Sequence, residues 1–392
     1  MIMARPAVRI ATYLGLPVFG LAVGLLIVEV GLRIAGVSYP ATFDIDLLRG
    51  NALHPGAEGW QRGEGKAYVR INSQGLRDRE HEFEKPPDTF RIAVLGDSFA
   101  EAVQVPMQAA FWSVLERKLS DCPAFAKSKV EVINFGISGH GTTQEYLTLR
   151  HYGWKYDPDL VLLAFYTGND VRNNSRALEG SPYRPYFFHD GNKLVLDDEF
   201  RKLPDFTLER ARWISRRNDL INASRILQLA RELYNRFKKQ GNSETVQAGA
   251  EIGINDAIYL PPENRDWKAA WRVTEAILRM MHRETKSRGA EFWIVTLTTG
   301  IQVHPDRALR RRVMTRLGVE NLLYPDRRIE KFARQDGISI ISLVEPFQAH
   351  ADAKKTFLHG FDGRGMGHWN ADGHSLAGKL IAARLCAARA VQ

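Results

Sequence analysis

Four short blocks of this chain combine residue types that do acyl chemistry with turns able to present them. The first is GDSFAE (96–101), in which Gly96 permits a sharp turn and Ser98 follows it. A serine hydroxyl is a poor nucleophile until a base takes its proton. On its own Ser98 reads equally well as a helix cap. The second block, NFGISGHGTT (134–143), is a glycine-dense loop whose backbone N–H groups can face a developing oxyanion, or simply connect two elements. The third, TGND (167–170), carries Asn169, whose side-chain amide can donate to the same oxyanion or hold a turn. The fourth is GHWNADGH (367–374), where Asn370 or Asp372 can cap a following helix and His368 stands just before that cap, free to act as a base.

The elements that must position these residues are legible from hydropathy. FRIAVLG (90–96), KVEVINFG (129–136), PDLVLLAFYTG (158–168), EFWIVTL (291–297) and ISIISL (338–343) are short apolar runs rich in β-branched residues. Helical periodicity occupies 109–119, 142–152, 267–288, 327–335 and 371–390. Buried strands alternating with helices predict an α/β fold, a three-layer α/β/α sandwich around a five-stranded parallel sheet. Such sheets place their sites beyond the carboxyl ends of the strands, and three of the four blocks follow a strand directly.

Taken together and in this order, the blocks resemble the SGNH/GDSL hydrolase family over roughly 90–390, the segment 172–266 excepted. The resemblance implies Ser98 as nucleophile and, through its N–H, as an oxyanion donor. It implies Gly139 and Asn169 as the other donors, and His368, rather than His374, as the base. The family usually carries an aspartate three residues before this histidine, and here that position is Gly365. The nearest upstream acid is Asp362, in HGFDGRGMGHW (359–369). The flanking glycines would let Asp362 reach the imidazole; a backbone carbonyl, or no partner at all, are the alternatives. His374 reads as a helix residue. His140 reads as solvent-facing, with substrate contact as the sharper option.

The N-terminus bears on compartment. Residues 10–28 carry no charged side chain, and at about 1.5 Å per residue they reach roughly 28 Å, close to a bilayer core. Arg5 and Arg9 precede the run, which favours a cytoplasmic N-terminus and a chain that exits on the periplasmic or extracellular side. No A-x-A pattern follows, so an uncleaved single-pass anchor is expected over a cleaved signal peptide. The organisation expected is an anchor (1–36), a polar, irregular lead-in (37–89) with a short strand or hairpin arm near 67–80, and a hydrolase domain (90–392). The insertion at about 172–266 is either a solvated excursion or a cap over the site.

The net charge is +9, partly gathered in 201–239. Without zinc-finger spacing or basic-aromatic interleaving, no nucleic-acid partner is expected. A solvated face, or a surface meeting anionic lipid or polymer, accounts for the charge. Cys122 and Cys386 are expected to be small buried hydrophobes, with a single bridge as the alternative in an oxidising compartment. No metal or cofactor is called for.

The function expected is ester hydrolysis through an acyl-serine, removing O-acetyl or other short acyl groups from an envelope or extracellular glycan. O-acyl transfer to a surface polysaccharide uses the same intermediate. A lipase or lysophospholipase would need a large apolar cleft under 208–239. A membrane-tethered polysaccharide-binding module with a decayed site is the non-enzyme alternative. Oligomeric state is left open.

Overall fold

The structure, a computed structural model, describes residues 6–239 and 254–391. Helix α1 (Pro6–Ile34) contains the stretch Leu16–Ile34, whose mean hydropathy of 1.9 and length suffice to cross a membrane. The lead-in that follows is more ordered than its polarity predicts. It forms two antiparallel hairpins, β1 (Phe43–Asp46) with β2 (Gly50–Leu53), and β3 (Glu58–Gln61) with β4 (Ala67–Arg70). The first turn is held by Asp46, whose carboxylate accepts from the N–H groups of Leu48 and Arg49 at 2.9 and 2.8 Å. Such an Asx turn is a local device. The burial of Leu53, Val69 and Ile71 against Ile137 is tertiary, and it is what makes short strands of these polar segments.

The central sheet starts with β5 (Thr89–Gly96), followed by the one-turn helix α2 (Ser98–Glu101) and α3 (Phe111–Ser120). Then come β6 (Lys129–Asn134), α4 (Thr142–His151) and β7 (Leu160–Tyr166). The inserted region contributes α5 (Asp170–Asn173), α6 (Arg176–Glu179), a hairpin of β8 (Tyr186–Asp190) and β9 (Lys193–Asp197), and the long helices α7 (Leu208–Ala223) and α8 (Arg225–Lys239). The chain returns through α9 (Arg265–Ser287), β10 (Glu291–Leu297), α10 (Arg307–Leu317), α11 (Tyr324–Gln335), β11 (Ser339–Ser342), α12 (Val344–Lys354) and α13 (Ala371–Arg389).

The strand order is β11-β10-β7-β5-β6, all parallel, as the five apolar runs predict. Alternate strand residues serve opposite cores. Ile92 and Val94 join one with Phe111 and Leu115 of α3, Phe347 of α12 and Ile381 of α13. Ala93 and Leu95 join the other with Leu149 of α4, Trp271 and Ile277 of α9 and Phe332 of α11. Because both faces are covered, the strands read as continuous apolar runs. The chain order reverses between β5 and its neighbours β6 and β7, which opens a crevice at their carboxyl ends.

One expectation changes here, and part of the insertion is placed. Cys122 and Cys386 are bridged, with Cα atoms 6.1 Å apart, because α3 and α13 pack side by side and bring them together. Helices α7 and α8 dock on the anchor and the lead-in. Among the described residues they bond to Glu29 and Arg33 of α1 and to residues 38–44, and Asp219 of α7 pairs with His54 Nε2 at 3.2 Å. The part of the insertion at 240–253 lies outside the described residues.

Candidate active site

Ser98 is the first residue of α2, immediately beyond β5. Asp97 caps that turn, its Oδ1 accepting from the N–H of Phe99 at 2.9 Å. The turn is tight because Ala100 and Ala164 crowd Gly96: a Cβ added there would lie 2.8 Å from the Ala100 methyl. The serine is thereby lifted to the sheet edge and stays half-buried rather than enclosed.

His368 arrives from the other end of the chain. Its loop is nailed to the core on both sides. Trp369, fully buried, packs among Phe99, Phe111 and Phe347 and donates its indole N–H to Thr298 Oγ1 at 3.0 Å. Asn370 caps α13 by accepting from the Gly373 N–H at 3.0 Å. The Gly360 N–H donates to the His368 carbonyl at 2.8 Å, closing the loop. With the backbone so held, His368 Nε2 stands 2.8 Å from Ser98 Oγ, within reach for proton transfer. The sequence pairing of Ser98 with His368 is thus reproduced in space.

The third member is not the one expected. Asp362 is exposed, and its carboxylate pairs with its own neighbour Arg364, accepting from the backbone N–H at 3.0 Å and from Nε at 2.5 Å. A local turn satisfies it, so it does not reach the imidazole. That place is taken by Glu64, from the turn joining β3 to β4. Glu64 Oε2 accepts from His368 Nδ1 at 2.5 Å, and Oε1 accepts from the His368 backbone N–H at 2.8 Å. Both oxygens therefore serve one residue, which fixes ring orientation and tautomer together. Burial pushes the Glu64 carboxyl up, but the hydrogen bonds and charge of His368 outweigh it and hold it below the ordinary carboxylate range. The approach is possible because residue 367 is glycine: a Cβ there would sit 2.3 Å from Glu64 Oε1. Sequence reasoning missed Glu64; its only local signal is an acid between two glycines, Gly63 and Gly65, in a turn before an alternating strand.

The oxyanion candidates lie around the same edge. Asn169 begins the turn after β7 and donates from Nδ2 to Asp97 Oδ2 at 3.1 Å, which leaves its second amide hydrogen free of that bond. Asp97 Oδ2 is in turn 3.5 Å from Ser98 Oγ, too long for a strong hydrogen bond, so His368 is the serine's effective partner. Burial pushes the Asp97 carboxyl up. Gly139 has φ of +80°, a backbone that favours glycine, and a side chain added there would meet open space. Its loop is pinned to α2 by Glu101, whose buried carboxylate accepts from the Ser138 N–H at 2.6 Å.

The remaining histidines have structural places. His140 is buried and bonds Asn51 Oδ1 of β2 at 3.0 Å, contrary to the solvent-facing expectation. The folded lead-in covers it, and burial holds its pKa well below the ordinary value. His374 is buried in α13 and accepts from the Phe111 N–H at 3.3 Å, so it does not compete with His368. A cavity of about 1030 Å³ is lined by residues such as Tyr186, Phe187, Arg265 and Arg272, and none of its lining comes from α7, α8, Ser98, Glu64 or His368. It is therefore not the apolar cleft under 208–239 that a lipase reading needs.

No family model and no curated protein matches the chain. Solved structures are similar to it across most of its length. One is an acetyl xylan esterase, AlAXEase, at 12% identity and a TM-score of 0.38, covering 76% of this chain and 100% of that one. Another is a catalytic mutant of Axe2, an acetylxylan esterase from Geobacillus stearothermophilus, at 12% identity and 0.39, covering 77% and 96%. A lipase/acylhydrolase from Enterococcus faecalis stands at 13% identity and 0.38, covering 76% and 97%. Three of the four sequence blocks thus meet at one edge of the sheet, with Ser98 against His368 and Asn169 against Asp97, and Glu64 is the acid on His368.

Proposed function

We propose that this chain is a membrane-anchored serine ester hydrolase acting through a Ser98–His368–Glu64 triad. The observation that carries the reading is the continuous chain of contacts from Ser98 Oγ to His368 Nε2 at 2.8 Å and from His368 Nδ1 to Glu64 at 2.5 Å. Ser98 attacks an ester carbonyl as His368 Nε2 takes its proton. Glu64 accepts from Nδ1–H and steadies the imidazolium. The N–H groups of Ser98 and Gly139 and the amide of Asn169 receive the oxyanion. The protonated His368 then gives its proton to the departing alcohol, leaving an acyl-serine. Water, deprotonated by His368, releases the acid and restores Ser98.

The substrate we favour is an O-acetylated or short-chain O-acylated glycan outside the cytoplasmic membrane. Three features support this. Ser98 is half-buried at the sheet edge rather than enclosed. Phe361, 39% exposed, lies against Gly65 next to Glu64, and an exposed ring beside the site suits the apolar face of a sugar. The disulfide fits an oxidising compartment, and Arg62, two residues before Glu64, donates to the Gly36 carbonyl just past α1 at 3.0 Å. The turn that carries Glu64 is thus tied to the segment just past α1 through Arg62. Glu64 also removes the main support for a decayed binding module, which was the missing acid at position 365.

The test is to treat the purified chain with a fluorophosphonate and locate the adduct. Labelling on Ser98 that vanishes in Ser98→Ala is the expected result; labelling that persists in that variant overturns the assignment. Acyl release from a model ester, with and without a sugar acceptor, separates hydrolysis from transfer.

A further inference from the structure

Helices α7 and α8 are built inside out for a water-facing position. In a helix packed on a soluble domain, apolar residues face the protein and polar residues face water. Here uncharged polar residues face inward, and large apolar residues face outward among the charged ones. Asn218 of α7 and Gln228 of α8 are each only 1% exposed, whereas Trp213 is 51%, Leu220 67%, Tyr234 66% and Phe237 73% exposed. Polar contacts do the docking. Asn218 Nδ2 donates to the Phe43 carbonyl and Asp44 Oδ1 at 2.9 and 2.8 Å. Asn222 exchanges two hydrogen bonds with the Ala41 backbone, and Gln228 Oε1 accepts from the Tyr39 N–H at 2.8 Å. Arg231 donates to the Pro40 carbonyl at 2.9 Å.

The level of this pair along α1 is fixed. Glu29 caps the start of α8, accepting from the Arg225 and Ile226 N–H groups at 2.9 and 3.1 Å and from Ser224 Oγ at 3.0 Å. Arg33 donates to the Ala223 carbonyl, the last residue of α7, at 2.8 Å. The corner between the helices is therefore bound where the uncharged run 10–28 ends, which for a spanning helix is the boundary between hydrocarbon and headgroups. The exposed cations match that position. Arg210 and Arg217 stack on Trp213 at 4.6 and 5.3 Å, and Arg212, Arg216, Arg236 and Lys238 are exposed beside the apolar residues. Trp with flanking Arg and Lys on an amphipathic helix is the signature of a segment lying in the interface plane.

We propose that α7 and α8 rest on the bilayer from which α1 emerges. Their Trp213, Leu220, Leu233 and Phe237 side chains enter the headgroup–acyl boundary, and their arginines meet anionic headgroups. The insertion is then a second membrane contact that sets the tilt of the hydrolase domain and holds the Glu64 loop at the membrane face. This rests on α1 spanning the bilayer, which alkaline extraction of membranes tests separately, and it does not depend on the esterase chemistry.

The experiment uses the full chain in vesicles containing phosphatidylglycerol. Spin labels are placed through Leu220→Cys, Phe237→Cys and, as an exposed control, Ser128→Cys. The native cysteines are bridged and do not react. Each labelled variant must keep the wild-type circular dichroism spectrum and thermal unfolding. Labels at 220 and 237 should collide preferentially with oxygen, and the label at 128 with a water-soluble nickel chelate. In vesicles of phosphatidylcholine alone the oxygen preference at 237 should fall several-fold. Nickel access at 220 and 237 equal to that at 128 overturns the proposal. So does protection of those sites from both reagents, which means a second copy or another protein covers the face. An unchanged preference in phosphatidylcholine overturns the anionic-lipid part.

Discussion

Replacing Glu64 by Gln tests the site most sharply, because it changes charge and hydrogen-bond polarity while keeping shape. Both carboxylate oxygens accept from His368, at 2.5 Å from Nδ1 and 2.8 Å from the backbone N–H. A glutamine has one acceptor and one donor, so an amide N–H must face one of those two donors. The ring can relieve this only by taking the tautomer with Nε2 protonated, which cannot accept from Ser98. Charge adds to the loss. An imidazolium and a carboxylate about 4 Å apart attract by about 4 kcal/mol at an effective dielectric of about 20. His368 and Glu64 are 26% and 35% exposed, so solvent screening reduces this to about 2–3 kcal/mol. At about 1.4 kcal/mol per decade, kcat should fall by about 30- to 150-fold. The assay is p-nitrophenyl acetate hydrolysis, with active sites counted by fluorophosphonate and folding checked by thermal denaturation. Gly367→Ala should cause a comparable loss that is not additive with Glu64→Gln, since its Cβ would lie 2.3 Å from Glu64 Oε1 and φ at 367 is +91°. Asp362→Asn should leave kcat unchanged. A Glu64→Gln enzyme within threefold of wild type, or a large loss in Asp362→Asn, would refute the triad as drawn.

Asn169→Ala should lower kcat by about 10²–10³-fold with little change in KM, the pattern of a donor used mainly in the transition state, and steady-state kinetics on the same ester measures it. Reducing the Cys122–Cys386 bridge, or replacing both residues by Ser, should lower the unfolding free energy by about 2–4 kcal/mol in urea titrations while the triad stays intact, because a long loop is released in the unfolded chain. The contributions of His54 and His81 to stability should be lost as pH rises above about 6.5. The His54 pKa is raised by its hydrogen bond to Asp44 and the charges of Asp44 and Asp219, against burial. Burial lowers that of His81, but Asp78 and Glu131 outweigh it and raise it. Each therefore stabilises the fold fully below the unfolded-state value near 6.5, and that contribution is lost as pH climbs through the raised folded-state pKa. Thermal melts from pH 6 to 9 should show the decline, and His81→Gln should flatten it; an unchanged slope would count against this origin.

The sequence alone was enough for the sheet and for most of its edge. Strands β5, β6, β7, β10 and β11 were readable because a strand covered on both faces must be apolar along its whole length. Ser98 and Asn169 were readable because each lies within a few residues of a strand end, so local turn chemistry and fold geometry point to the same place. His368 was readable from the Asn370 cap behind it. Glu64 was not. It reaches His368 across 304 residues of chain, from a polar hairpin whose strands exist only because the core beneath them buries Val69 and Ile71. The nearer Asp362 misled because closeness in sequence was used where closeness in space decides. Pairing of Cys122 with Cys386 likewise depended on α3 and α13 lying side by side. The basic character of 201–239 was visible in the sequence, but which face of α7 and α8 the protein keeps was not: only the contacts of Asn218, Gln228 and Glu29 decide that.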